Sequence, residues 1–116
     1  MSVLAFNATR NAPVAAKVET ADTAASRSKG LLGRASLAAD EGLWIVPCPM
    51  IHTFFMQFPI DVLFLDADLT VRRVIEDLRP WRLSPWVLSA RSVLELKGGV
   101  LQGSVRVGDR LEMRPS

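Results

Sequence analysis

The chain has 116 residues, of which 49% are hydrophobic, with a net charge of +2 and one cysteine. This length fits one domain with a real core, residues 1–116, and the hydrophobic share excludes a disordered chain. The charge is too small to argue for nucleic acid or an anionic membrane as partner, and the single Cys48 excludes an intrachain disulfide. The apolar start at residues 3–6 is too short for a signal or spanning helix, so we expect a cytoplasmic protein.

The first part of the chain predicts two strands and one helix. Residues 2–7 and 14–20 are typical of short strands, and we expect both at sheet edges. Asp22 or Thr23 is a suitable N-cap for a helix of about three turns that ends near Gly33. This is the one long helix that the sequence predicts.

One face of the predicted helix combines cationic and small residues. Arg27, Gly30, Leu31 and Arg34 follow the spacing i, i+3, i+4, i+7 and therefore share a face. Since Gly30 has no side chain, this face can approach another backbone closely, with a guanidinium group on either side.

The middle of the chain predicts a short strand followed by an extended segment. Residues 43–46 form the strand, and prolines at positions 47 and 49 prevent a helix beyond it. In an extended segment, alternate side chains point to the same side. One side would therefore present sulfur, imidazole and aromatic groups, from Cys48, Met50, His52, Phe54 and Met56.

Residues 60–65 are apolar on both parities except for Asp61, which indicates a strand covered on both faces, and we expect it to be the central strand. Asp61 shares a face with Leu63 and Leu65, so its carboxylate should be at least partly buried and must find donors or a cation. We expect an arginine of the helix, first of all Arg27, to pair with it.

The remaining segments predict further short strands. Residues 66–68 suit a hairpin turn that leads into an antiparallel partner strand at residues 70–76, and residues 77–86 form a surface loop rich in Pro, Trp and Arg. Strands are expected at residues 92–97 and 110–113, with one helical turn at residues 100–104. Within the strand at 92–97, Glu95 has the opposite parity from its leucine neighbours, so it lines a site or faces water.

The order of motifs resembles a bacterial and archaeal family called domain of unknown function 192, or DUF192. The resemblance is carried by residues 27–34 (RSKGLLGR), 41–44 (EGLW), 52–66 (HTFFMQFPIDVLFLD), 93–99 (VLELKGG) and 107–109 (VGD). It covers roughly residues 14–113 and implies a mainly β domain, a small β-sandwich or partly open barrel with a jelly-roll-like look and one packed helix. It implies no established activity, so the function must be argued from the site.

The chain departs from the family pattern at a few positions. The family usually has Met where Leu32 stands, often has a Trp-Met-Lys-Asn-Thr run near Gln57, and has Gly in the hairpin where Leu69 stands. The resemblance is therefore to the branch with Cys and His-Thr before the strand, and we expect the hairpin to use a different turn.

The candidate ligand-binding residues are the polar or soft side chains that the pattern places near the buried strand: Arg27, Arg34, His52, Met56, Asp61 and Glu95. Arginines beside a carboxylate can orient a small polar or anionic ligand. The same pair can equally be a structural network that ties the helix to the strand.

Three other functions stay open at this point. An enzyme would use His52 and Asp61 as acid and base, but no recognisable nucleophile accompanies them. The set Cys48, Met50, His52 and Met56 suits Cu(I) but is not a closed site, so we expect no metal and no cofactor. The loop that contains Trp81 and Trp86 could stack a sugar or base, but a loop pinned by two half-buried indoles is the simpler account. A separate hypothesis is that this loop is a docking surface more mobile than the strands around it.

The sequence thus favours a non-enzymatic binding or accessory module with a polar site around Asp61. We expect a small polar or anionic ligand or a protein partner, no nucleic acid and no membrane, and a monomer or weak dimer.

Overall fold

The computed structural model describes residues 2–48 and 50–115, and within them the chain forms seven strands and one helix. The elements are β1 (Ser2–Asn7), β2 (Ala12–Ala21), α1 (Ala24–Lys29), β3 (Glu41–Ile45), β4 (Ile60–Leu65), β5 (Val71–Leu78), β6 (Ser92–Lys97) and β7 (Leu111–Pro115). The mainly β class and the presence of a single helix agree with the sequence prediction, whereas the helix is shorter than predicted.

The strands form one sheet in the order β5-β4-β6-β3-β2-β1-β7. All neighbours are antiparallel except β2 and β3, which are parallel. The two edges approach each other where Thr70 bridges Arg110, and the Val71 amide donates to the Asp109 carbonyl oxygen at 2.8 Å. The sheet therefore curls into a half-barrel, which confirms the expected partly open barrel.

The sheet separates two hydrophobic clusters. The cluster inside the curl contains buried residues from every strand but β3, among them Val18, Leu63 and Leu94. The second cluster lies on the other face of β3, β4 and β6, where Leu31, Leu37, Ile51 and Met56 from outside the sheet cover it. Because β4 contributes to both clusters, all six of its residues are buried, as the apolar run predicts.

The positions of three strands in the sheet differ from the predictions. β4 is not central; it lies beside the edge strand β5, and β3 occupies the middle of the order. β1 and β2 are interior rather than edge strands, because β7 returns to pair with β1 and β3 pairs with β2. Burial on both faces therefore arises here from the curl and from the covering segments, and it does not report the strand order.

The predicted helix is correct at its start and too long at its end. Thr23 is the N-cap and forms a capping box with Ser26. The helix ends at Lys29 because Gly30 has φ 49° and leaves the helical conformation. None of the helical residues is buried, so packing does not favour a longer helix, and the chain continues in turns that insert Leu31 into the outer cluster. The predicted common face of Arg27 and Arg34 is therefore wrong.

Two turns also differ from expectation. Residues 100–104 form a turn rather than a helix, since Gln102 and Gly103 have φ of 46° and 75°. In the hairpin between β4 and β5, Leu69 has φ 63°, the left-handed conformation that glycine takes readily. The missing glycine therefore does not by itself require a different turn.

Candidate functional site

A cleft of about 250 Å³ opens on the outer face of the sheet. One wall is α1 with the turns after it, and the other is the irregular segment between β3 and β4. The residues that line the cleft are Arg27, Ser28, Lys29, Gly30, Leu31, Leu32, Ile45, Pro47, Cys48, Met50, Ile51, His52, Met56 and Glu95. Most of this lining is apolar, and the polar groups are few, as in small-molecule sites generally.

The cleft brings together four of the six candidate residues: Arg27, His52, Met56 and Glu95. The other two lie elsewhere. The Arg34 guanidinium contacts the carboxylate of Glu41, the first residue of β3, at 3.4 Å. Asp61 lies on the opposite face of the sheet, with the inner cluster.

Glu95 is the polar group at the base of the cleft. It stands on β6 between Leu43 of β3 and Val62 of β4, so its side chain emerges on the outer, helix-covered face. Only 3% of the residue is exposed. Among the described residues, no hydrogen bond or ion pair reaches its carboxyl group. Burial raises the pKa of Glu95 to about 8, so the group is mostly protonated at neutral pH.

Cys48 lies beside Glu95 in the same cleft and is half-buried. Its thiol donates to the carbonyl oxygen of Met50 at 2.8 Å. Burial raises the pKa of the Cys48 thiol, and Glu95 adds to this once it is ionised, whereas the Met50 hydrogen bond and Arg27 act in the other direction. The sulfur is therefore a neutral thiol near pH 7 and a poor nucleophile.

Charged groups lie at the rim of the cleft. Arg27 is half-buried and Lys29 is exposed, and both belong to the last turn of α1. The Arg27 Nη1 donates to the backbone carbonyl oxygen of Asp22 at 3.0 Å. Within residues 2–48 and 50–115 neither side chain forms an ion pair, so both cations can contact a ligand.

His52 lies at the junction between the cleft and an exposed aromatic surface. Its Nδ1 accepts a hydrogen bond from the Phe54 amide at 3.3 Å, and its ring stacks on the Phe54 ring at 5.1 Å. The Trp81 ring lies 6.2 Å from Phe54 and 4.6 Å from Phe55. Trp81 and Trp86 are 55% and 60% exposed, so more than half of each residue is open to solvent.

The buried Thr53 holds the two loops together. Its hydroxyl donates to the carbonyl oxygen of Arg79 at 2.6 Å and accepts from the Arg82 amide at 2.9 Å. The chain then turns, because the Met56 amide bonds to the Thr53 carbonyl and Phe55 has φ 65°. The predicted single parity from Cys48 to Met56 is therefore interrupted: Met56 is buried, whereas His52 and Phe54 are exposed.

Asp61 is fully buried, as predicted, but the predicted ion pair with Arg27 is wrong. Its Oδ1 accepts hydrogen bonds from the amides of Asp77 at 2.9 Å and Gly99 at 3.0 Å. Its Oδ2 accepts from the Leu101 amide at 3.0 Å. Backbone amides satisfy the carboxylate because β4 faces the inside of the curl at this position, whereas α1 covers the other face. Asp61 thus fixes the irregular position of Asp77 in β5 and the turn after β6, and it cannot act together with His52.

Asp109 has a similar structural role that the sequence did not predict. Its Oδ2 accepts from Arg10 Nε at 2.7 Å, from Asn7 Nδ2 at 2.9 Å and from the Arg106 amide at 3.0 Å. Burial by itself raises the pKa of Asp109, but the hydrogen bonds from Arg10, Asn7 and Arg106 outweigh it and leave the pKa below its ordinary value. The segment 107–109, which carries part of the family resemblance, therefore joins β7 to β1.

The soft side chains Cys48, Met50, His52 and Met56 all line the cleft. In the described part of the chain, no group of three or more His, Cys, Asp or Glu residues is arranged to hold a metal ion. No helix among residues 2–48 and 50–115 is long and apolar enough to cross a membrane.

Known proteins are similar to this one in sequence and in fold. The model of the family DUF192, described as "Uncharacterized ACR", matches residues 5–113. A UPF0127 protein of Pyrococcus abyssi is 38% identical over 102 residues, which cover 83% of this chain and 85% of the relative. A UPF0127 protein of Pyrococcus furiosus is 32% identical over 118 residues, with 92% and 95% of the two chains covered.

Two solved structures are also similar. A protein of unknown function from Novosphingobium aromaticivorans superposes with a TM-score of 0.82 at 24% identity, over 97% of this chain and 84% of that one, which shows a common fold. A proposed transcription regulator from Sinorhizobium meliloti superposes with a TM-score of 0.78 at 30% identity, over 96% and 91% of the two chains. Because the family model spans residues 5–113 and the Pyrococcus relatives match most of the chain, this protein belongs to the uncharacterised DUF192 (UPF0127) family.

Proposed function

We propose that the protein is a non-enzymatic binding module whose small ligand occupies the cleft above Glu95. The observation that supports this most is Glu95: the residue is only 3% exposed, and its carboxyl group borders the cleft with no hydrogen-bond partner among the described residues. Buried polar groups in folded proteins are nearly always paired, since an unpaired one costs roughly 1 to 3 kcal/mol. A ligand that reaches the base of the cleft would supply the missing partner.

The size of the cleft favours a small molecule. Its volume of about 250 Å³ is just below the range of roughly 300 to 1,000 Å³ that holds drug-sized ligands. A folded peptide or a nucleic acid duplex does not fit such a space. The buried side chains of Leu31, Ile51 and Met56 would contact the apolar part of the ligand, and Glu95 would fix its orientation.

A second candidate function is a small enzyme that uses Glu95 as its acid or base. The specific observation in its favour is the pKa of about 8, because a carboxyl group with a pKa near the working pH can both give and take a proton. In this enzyme Glu95 takes the place of the predicted acid–base pair, His52 and Asp61, which lie on opposite faces of the sheet. Binding remains the preferred function, since the cleft lacks an activated nucleophile: the neighbouring thiol of Cys48 is held neutral.

The test is an NMR titration of the ¹⁵N-labelled protein with neutral six-carbon probes, hexanol and hexanamide, and a set of soluble fragments. We expect saturable shifts at amides of Arg27 to Leu32, Ile45 to Met56 and Glu95. The variant Glu95→Leu should lose the response to hexanamide, whereas Glu19→Gln, which changes an exposed carboxylate on β2, should keep it. The binding function is ruled out if these amides respond neither to the neutral probes and fragments nor to the charged probes hexylamine, hexanoate and ε-aminocaproate.

A further inference from the structure

We infer that the cleft selects a small aminocarboxylate, with its ammonium group against Glu95 and its carboxylate against Arg27 and Lys29. This inference rests on the proposed binding function and names the class of ligand. The arrangement of charges in the cleft carries it. An acidic group without a hydrogen-bond partner among the described residues lies at the base, and two basic groups that form no ion pair with those residues lie at the rim.

The base of the cleft requires a hydrogen-bond donor. Glu95 stands between Leu43 and Val62 on the neighbouring strands, and neither offers a polar side chain. A carboxylate has room for several hydrogen bonds and is satisfied best by a group that brings several donors together with a positive charge. An ammonium group supplies both, whereas an alcohol supplies one donor and no charge.

The rim of the cleft requires an anion. Arg27 uses Nη1 for the Asp22 carbonyl oxygen, which leaves the other guanidinium N–H groups available. Lys29, two residues later, adds a second positive charge on the same lining. A ligand with only an ammonium group would be repelled by these cations on entry, so the second group of the ligand must be negative.

Apolar side chains separate the two charged ends of the cleft. Leu31, Ile45, Ile51 and Met56 are buried and line it between the helix and the sheet. They would contact a short aliphatic chain, which joins the ammonium to the carboxylate. This excludes short, fully polar zwitterions and favours a body of a few methylene groups.

Binding of the ammonium group is coupled to a proton. In the free protein Glu95 has a pKa of about 8, and the other titratable or charged groups that line the cleft are Arg27, Lys29, Cys48 and His52. Below that pH, the carboxyl proton must leave to solvent before the ion pair forms. The apparent affinity should therefore rise as the pH rises towards about 8, by about tenfold per pH unit.

Isothermal titration calorimetry with four matched six-carbon probes tests this inference: ε-aminocaproate, hexylamine, hexanoate and hexanamide, with shorter and longer homologues of the first. At a pH near 8 we expect ε-aminocaproate or a homologue to bind at least about tenfold more tightly than any probe with one charge or none. Titrations in buffers of different ionisation enthalpy should detect proton release, which increases as the pH falls below about 8 and approaches one proton per ligand.

Variants separate the two ends of the cleft. Glu95→Gln, which keeps the shape of the side chain, should abolish proton release and the preference for the ammonium group. The double variant Arg27→Gln/Lys29→Gln should abolish the preference for ε-aminocaproate over hexylamine. Controls at an exposed acid and an exposed base outside the cleft, Glu19→Gln and Arg73→Gln, should leave both preferences unchanged.

The outcomes distinguish this inference from the proposed function. If hexanamide or hexanoate binds in the cleft as tightly as every aminocarboxylate, the ligand class is wrong and the binding function stands. If the aminocarboxylates bind but Glu95→Gln keeps the same affinity and proton release, the ammonium group does not contact Glu95 and the inferred mode of binding is wrong. If no charged or neutral probe shifts the amides of the cleft, both are overturned.

Discussion

Asp61 and Glu95 are two buried carboxyl groups on neighbouring strands, and the fold treats them in opposite ways. Asp61, on β4, is fully buried and accepts hydrogen bonds from the amides of Asp77, Gly99 and Leu101. Glu95, on β6, is almost as deeply buried and has no such partner among the residues that the structure describes. One group lies inside the curl of the sheet, and the other lies beneath an open cleft.

The comparison shows that burial of a charged group does not by itself indicate a functional site. The number of hydrogen bonds that reach the group separates the two cases. The three amides fix Asp61 as part of the architecture, since they already use the capacity that a ligand would need. The unsatisfied Glu95 retains its capacity and borders an opening, so it is the better candidate for contact with a ligand.

The largest expected effect belongs to Asp61→Ala. Removal of the carboxylate leaves three backbone amides without an acceptor, and each is worth roughly 1.5 to 3 kcal/mol when bonded to a charged group. We therefore expect a loss of roughly 5 kcal/mol in the free energy of unfolding, measured by denaturant titration. Asp61→Asn should lose less, because its single carbonyl oxygen can still accept two of the amides.

The same experiment decides whether Arg27 has a structural link to Asp61. Since the two residues lie on opposite faces of the sheet, the effects of Asp61→Ala and Arg27→Ala should add within about 0.5 kcal/mol. A wild-type midpoint for Asp61→Ala would refute the architectural role. A large non-additive term in the double variant would restore the ion pair as an explanation.

The second prediction concerns the pH dependence of stability, which Glu95 should dominate at alkaline pH. The pKa of Glu95 is about 8 in the folded protein and near 4.5 in the unfolded chain, so the folded state holds the proton more tightly. Stability contributed by this group is complete at acidic pH and is lost as the pH rises from about 4.5 to about 8. The full loss is at most about 5 kcal/mol and is reached above pH 8, because burial of the charged form is unfavourable.

The matched variant for this prediction is Glu95→Gln, which cannot ionise. Thermal and denaturant melts of both proteins across this pH range should show the wild type losing stability relative to the variant as the pH rises. Glu19→Gln, at an exposed position, should follow the wild type. Parallel curves for wild type and Glu95→Gln would mean that the folded carboxyl group has an ordinary environment, and the contrast with Asp61 would disappear.

The third prediction tests the close packing of the backbone next to the amides that bind Asp61. A Cβ at Gly98 would lie 2.9 Å from the carbonyl oxygen of Pro59, which is backbone and cannot move away cheaply. We expect Gly98→Ala to cost about 2 kcal/mol, and to couple with Asp61→Asn because the shift also displaces the Gly99 amide. Gly103→Ala is the control, since it strains a positive φ but meets no atom within 4 Å; it should cost about 1 kcal/mol and show no coupling.

The sequence predicted the strands better than their arrangement. Local patterns were sufficient for the burial of β4, for the Thr23 cap and for the mainly β class, because periodicity and capping act within a few residues. The strand order was not predictable, because the pairing of β7 with β1 joins the two ends of the chain and leaves no local signal. The helix was predicted too long because nothing in its sequence showed that it would bury no residue.

The sequence predicted most of the residues of the candidate site but centred the site on Asp61, which lies on the wrong face of the sheet. The apolar parity of β4 correctly indicated that Asp61 is buried, but it did not say which face of the sheet α1 would cover. Glu95 was identified as unusual only by its parity among leucines, and that left two possibilities, water or a site. Tertiary packing decided between them, since the segment after Pro47 covers this face of the sheet and leaves the cleft open above Glu95.

The smallest expected effect comes from a substitution at Thr53, which holds the wall of the Glu95 cleft on the face of the sheet opposite Asp61. Thr53→Val keeps the shape of the side chain but leaves the Arg79 carbonyl and the Arg82 amide without their hydroxyl partner. We expect a loss of about 1 to 2 kcal/mol in unfolding free energy. The more specific effect should be faster hydrogen exchange at the amides of Trp81, Arg82 and Ser84, which anchor the aromatic loop to the cleft wall.

The exchange experiment also keeps the two carboxyl regions separate. The Gly99 and Leu101 amides, which bind Asp61, should exchange as slowly in Thr53→Val as in the wild type, because they lie on the other face of the sheet. In the wild type itself, the exposed stretch around Trp86 should exchange faster than Val62 to Leu65, as expected for a mobile surface loop. Equal protection of the loop and β4 in the wild type would contradict that mobility. Faster exchange at Gly99 in Thr53→Val would show that the cleft wall and the backbone amides around Asp61 unfold as one cooperative unit. If only the loop responds, the wall of the cleft can open without disturbing Asp61, and a ligand can reach Glu95 while the sheet stays folded.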